Sequence, residues 1–230
     1  MTNLPSSEGA YELGTIETSI SLKEALSPAG IGRLSSFGGV ILSACLFGHN
    51  YEHLHLQGSD ERPDDLINGD FWKRHRKMDN DLSNTFMFLP DHLRLPSGIR
   101  DLNVVFLHMN IHASTICLHQ AAVATAEKKR LDRSFIKRCQ TRCLMAAEEI
   151  ASTMRLITHM DATYMNSWMG FCLYVASGVF IQDLVNDTER VESRNSLEFL
   201  LAAMNAIGSK VSQVFKVSVL VMSFHPLENP

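Results

Sequence analysis

The sequence predicts an all-α fold, a single domain of about six or seven helices packed around a buried central one. Three observations carry this. Apolar residues return at steps of three and four along most of the chain, the period of a helix face. The stretch from Leu102 to Lys128 holds neither glycine nor proline and has only a thin polar strip (Asn103, Asn110, Ser114), as a helix surrounded by neighbours requires. Polar breaks with capping residues separate the periodic stretches.

Taken in order, residues 1–27 are poor in large apolar side chains and carry Pro5 and Gly9, which predicts a flexible lead. Residues 28–230 are then the folded part. Pro28 and Gly30 punctuate, and Leu34, Phe37, Ile41, Cys45 and Leu46 mark an amphipathic helix within Ile31 to His55. Four glycines inside it (Gly32, Gly38, Gly39, Gly48) imply close helix contacts or a late helix start. Asn68 to Asp70 opens the helix that carries Trp72, His75, Asp79 and Leu82, and Pro90 and Pro96 end it. After the central stretch, Asp132 or Ser134 caps a helix with the stripe Phe135, Cys139, Cys143, Ala146, Ile150, Met154 and Ile157. An apolar helix spans Asn166 to Val185. A final stripe runs from Leu197 through Leu200, Met204 and Ile207 to Phe215, with a β-branched end past Val214.

With 230 residues the chain buries a full core without metal or disulfide. A net charge of -4 opposes nucleic-acid binding by bulk electrostatics. Five scattered cysteines with no Cys-x-x-Cys pair read as buried thiols in a reducing compartment. The apolar block Trp168 to Ile181 falls short of the roughly 20 residues a bilayer span needs, so no membrane role is expected.

Three groups of residues invite chemistry. His108, His112 and His119 share an arc of the central helix and, with Asn110, suggest a buried polar groove for a ligand. His112 and His119 lie about 10 Å apart along the axis, too far to share one ion, so metal would need Cys139 and Cys143 or His49 and His53; core histidines are the plainer reading. Asp60, Asp64, Asp65 and Asn186-Asp187 loosely suggest the magnesium-diphosphate motifs of helical terpene synthases. Pro63 interrupts the first, and Arg190 replaces the serine of the second. The basic runs Lys73-Arg74-His75-Arg76-Lys77 and Lys128-Lys129-Arg130 suit a nuclear import signal, through Lys73, Arg74, Arg76 and Lys77, or an ordinary wet helix face.

One resemblance adds a functional expectation. Phe71-Trp72 with His75, Asp79 and Leu82, then Phe88-Leu89-Pro90, Leu93 and Leu95-Pro96, then Asn103, Phe106-Leu107-His108, His112, Ile116 and Leu118-His119, together with Ala176, Val179 and Phe180, resemble the later part of the middle homology region of fungal zinc binuclear cluster transcription factors. The resemblance covers roughly residues 31–185. It implies an all-helical regulatory domain, partial in extent, that modulates RNA polymerase II transcription in the nucleus. Expected partners are transcription machinery or regulatory proteins, with a homodimer as an option. The family's zinc sits in an N-terminal six-cysteine module whose spacing these cysteines do not match. No cofactor and no direct DNA contact are therefore expected from this chain, and DNA binding would belong to a longer form. The alternatives are a ligand-binding or diphosphate-processing helical enzyme and a simple dimerisation module.

Overall fold

The computed structural model describes residues 3–55, 65–160, 165–166 and 168–210. Among these, nine α-helices occur and no strand. Six are long: α4 (Ser36–His55), α5 (Asp70–Met87), α6 (Leu102–Lys128), α7 (Arg133–Leu156), α8 (Trp168–Asn186) and α9 (Val191–Lys210). The other three, α1 (Glu8–Glu12), α2 (Leu22–Ala25) and α3 (Pro28–Ile31), are single turns ahead of them. The all-α expectation therefore holds, and the long helices are the ones the periodicity marks.

α6 is the axis. Asp101 starts it, accepting a hydrogen bond from the backbone N–H of Asn103. Fifteen of its 27 residues are buried, on every side of the cylinder, because α4, α5, α7 and α8 all pack on it. Its largest cluster joins Phe106, Met109, Ala113 and Ile116 to Cys143, Ile150 and Met154 of α7, to Cys172, Leu173 and Phe180 of α8, and to Leu200 and Ile207 of α9. A second cluster, on the other side, holds Leu107, Ile111 and Leu118 against Leu42 and Leu46 of α4 and Met78 and Leu82 of α5. Asn50 of α4 donates to the Ser114 carbonyl at 2.8 Å, which fixes the register of that pair. Gly39 explains part of the glycine content: a Cβ there would stand 2.9 Å from Leu107 Cδ2, so α4 meets α6 at hydrogen-atom distance. The helix indeed starts late, at Ser36.

Residues 3–27 differ from the expected flexible lead. Ser7, Ser21 and Ser27 each cap a one-turn helix, and Ser21 with Glu24 completes a capping box. Leu4 N–H donates to Ile20 C=O at 2.8 Å, and Leu4, Ile20 and Ala25 complete the second cluster with Ile31 and Leu34. Three small apolar anchors suffice here because serine caps satisfy the backbone, which a count of large side chains does not register.

α8 is apolar and long enough, by length and composition, to cross a bilayer. Here it packs between α6, α7 and α9, with Cys172, Leu173, Ala176 and Phe180 fully buried. The final apolar segment beyond Lys210, and the carboxylates Asp60 and Asp64, lie outside the described residues.

Candidate functional site

The residues richest in chemistry gather where α5 and α7 meet over the C-terminal half of α6. Small residues there, Ala122 and Ala126, let the flanking helices approach. α5 presents Trp72, His75 and Asp79, and α7 presents Phe135, Arg138 and Arg142, each set at steps of three and four. The two faces meet edge to face: Trp72 and Phe135 have ring centroids 5.2 Å apart at 86°. Phe71 caps the same stack, 4.8 Å from Trp72 and 4.8 Å from His53 of α4.

Next to the aromatic stack lies a polar seam. Arg142 Nη2 contacts Asp79 Oδ1 at 2.5 Å, and His119 Nε2 lies 3.3 Å from the same oxygen. Arg142 Nε also points at His119 Nε2, 3.4 Å away. That nitrogen either donates to Asp79 or accepts from Arg142, since one ring nitrogen cannot do both. Burial pushes the Asp79 carboxyl up, but the hydrogen bond and charge of His119 and the Arg142 guanidinium outweigh it, and its pKa lies below the ordinary value. His75 stacks edge-on to His119 at 5.1 Å. The ring nitrogens of His53, Nδ1 of His75 and Nδ1 of His119 are buried with no hydrogen-bond partner among the described residues. Desolvation takes His53 to about 4, helped by Arg74, and His75 to about 4, helped by His119. The imidazoles of His53 and His75 are therefore neutral at pH 7.

The expected groove of His108, Asn110, His112 and His119 is not one site. His108 Nε2–H donates to the Leu93 carbonyl at 2.8 Å, and the rings of His108 and His112 lie under Phe86 at 5.4 and 5.2 Å. Asn110 is two residues on, about 200° around the axis, and accepts from Trp168 Nε1–H at 3.1 Å on the α8 side. His119 belongs to the α5–α7 seam. Shared azimuth did not bring the three histidines together because different helices cover different heights of α6. His112 keeps a strip of surface, yet desolvation, with His108 beside it, lowers its pKa to about 3.

The basic run is also divided. Lys73 and Lys77 are exposed and make only loose pairs, with Asp70 at 3.9 Å and Asp81 at 3.8 Å. Arg76 hydrogen-bonds the Leu66 and Ile67 carbonyls, and Arg74 has its Nε buried. Desolvation pushes the thiols of Cys117 and Cys139 up to about 11 and that of Cys143 up to about 12, which keeps these three protonated at pH 7. Asp187 and Asp183 are both spent on Arg190, at 3.3 and 2.8 Å. Among the described residues no three His, Cys, Asp or Glu side chains converge so as to hold a metal ion.

The neutral histidines set a pH prediction. Their folded pKa values lie below the unfolded value of about 6.5, so the unfolded chain binds more protons as pH falls. Stability should be flat above about pH 7 and fall between about 6.5 and 4, at up to about 1.4 kcal/mol per pH unit for each histidine that must stay neutral. In urea titrations His75→Gln should shallow that slope by one proton. A midpoint unchanged down to pH 4.5 would contradict the buried, neutral state.

No family model matches the chain, and no solved structure matches it. It is similar to the pigment biosynthesis transcriptional activator pigB of Monascus ruber, with 24% identity over 210 residues, which is 89% of this chain. The chain spans 37% of that activator's length. The likeness supports a relation to fungal transcription factors and, generally, to transcription regulation.

Proposed function

We propose that the chain is an all-helical regulatory domain of a fungal transcription factor, of the zinc cluster type by its resemblance, acting in the nucleus on RNA polymerase II transcription. The observation that carries the reading is the similarity to a transcriptional activator across nearly the whole chain. DNA contact then belongs to a longer form, and with it the zinc. Within the domain, an axis helix enclosed by four others, with unpartnered polar atoms at its α5–α7 margin, suits a body whose packing responds to what it binds. Regulatory proteins or the transcription machinery are its partners in this reading, and catalysis has no part in it.

The test tethers the full chain to a promoter through an unrelated DNA-binding module with its own activating segment, in a fungal cell. A regulatory domain changes reporter output several-fold relative to the module alone. Unchanged output, with no partner recovered, would leave a dimerisation or scaffold role. Import is tested separately. Because Arg76 and Arg74 are built into the fold, neutralising all four basic residues would confound import with stability. Lys73→Gln with Lys77→Gln should leave the Tm nearly unchanged and shift the protein to the cytoplasm if this segment is the signal; retained nuclear signal removes that role.

A further inference from the structure

Beside the Trp72–Phe135 stack lies a half-open cavity of 340 Å³, lined by Leu66, Ile67, Trp72, His75, Phe135 and the guanidinium-bearing Arg76 and Arg138. Its walls are almost wholly apolar, and its volume sits at the lower end of sites for small molecules. Two cations stand on its wall. Arg76 and Arg138 line it, and neither forms an ion pair among the described residues. Arg76 gives its N–H groups to two carbonyls, which hold it in place without neutralising it. Arg138 lies 5.7 Å over the Phe135 ring; the Asp132 carboxylate feels its charge, but the two do not close into an ion pair. In a chain of net charge -4, two guanidiniums on one apolar cavity, neither in an ion pair among the described residues, are a local concentration of positive charge.

A second observation is independent of charge. His75 forms part of the wall, is 5% exposed, and has Nδ1 with no hydrogen-bond partner among the described residues. A buried polar atom left open is costly unless something fills its bonding capacity. Shape and cations point to one ligand chemistry, on a wall to which a histidine with an unfilled ring nitrogen also belongs.

We propose that this cavity binds a small, flat, apolar molecule bearing one carboxylate, its ring system against Trp72 and Phe135 and its carboxylate held by Arg138. Arg138 supplies the planar two-donor fork that a carboxylate matches. Arg76 adds field without needing to leave its carbonyls. The cavity spans α5 and α7, so occupancy would add to the two contacts that already join these helices, the Trp72–Phe135 stack and the Asp79–Arg142 seam. As the effector site of the regulatory domain the proposal rests on the reading above. Binding itself is measured apart from transcription.

The experiment uses the full chain carrying Trp168→Phe, so that Trp72 is the one tryptophan left to report. 2-Naphthoate and its neutral counterpart 2-naphthamide are titrated while Trp72 fluorescence is followed. The expected result is saturable quenching by 2-naphthoate at an affinity at least about 10-fold above that of the amide, consistent with a charge-assisted pair. Arg138→Gln, an exposed position whose change should leave the melting curve intact, should erase the preference while leaving the amide's affinity unchanged. The His75 ring resonances should also titrate at higher pH with 2-naphthoate bound. Equal affinity for acid and amide, a preference that survives Arg138→Gln, or no saturable change at millimolar ligand overturns the proposal. Loss of reporter regulation with binding intact would instead overturn the functional reading and leave the site standing.

Discussion

Trp72→Ala should cost about 3–5 kcal/mol, a large share of the stability of a domain with about 5–15 kcal/mol to spare. Trp72 is 1% exposed and is the largest side chain in the cluster that seals α5 and α7 onto Ala122 and Ala126 of α6. Those alanines cannot move in to fill the space, because they are fixed in a helix packed on its other sides. A void of indole size would therefore persist, and the cavity term adds to the lost transfer energy. Urea unfolding followed by circular dichroism reads the loss directly. Trp72→Phe should keep much of the edge contact with Phe135 and lose far less. A loss below about 1 kcal/mol in the alanine variant would mean that Trp72 is not enclosed as described.

Phe180→Ala makes the second large effect, again about 3–5 kcal/mol, in a different cluster of the core. Phe180 is fully buried where α8 meets α6, α7 and α9, while its neighbour Ile181 is 50% exposed. The pair is an internal control. Ile181→Ala should stay within about 0.5 kcal/mol, since it removes surface that water already reaches. Both are read from urea midpoints at unchanged m-value, which certifies that stability and not compactness has changed. Equal costs at the two positions would place the wrong face of α8 inward.

These expectations show what the amino-acid pattern made legible. α6 could be read because all-round burial leaves a visible shortage of polar residues, and α7 because its stripe from Cys139 to Met154 keeps strict steps of three and four. Breaks at Pro90, Pro96 and Asp132 could be read because proline and cap residues act locally. The seam of Asp79, His119 and Arg142 could not, since its members are 40 and 23 residues apart and meet through the crossing of three helices. One signal was available. Trp72, His75 and Asp79 repeat the spacing of Phe135, Arg138 and Arg142, two aromatic-then-polar faces of equal pitch. That match says which faces are alike but not that they oppose one another across α6. The groove expected on α6 failed for the same reason: azimuth on one helix is a local property, and which neighbour covers it is not.

The serine-capped turns ahead of α4 decide where this molecule can be trimmed. A fragment beginning at Pro28 would shed Leu4, Ile20 and Ala25 and wet the apolar faces of Leu34, Leu42 and Leu82 that share their cluster, inviting self-association and proteolytic nicking. The frontier of the folding unit therefore lies before Leu4, roughly thirty residues upstream of its first long helix at Ser36.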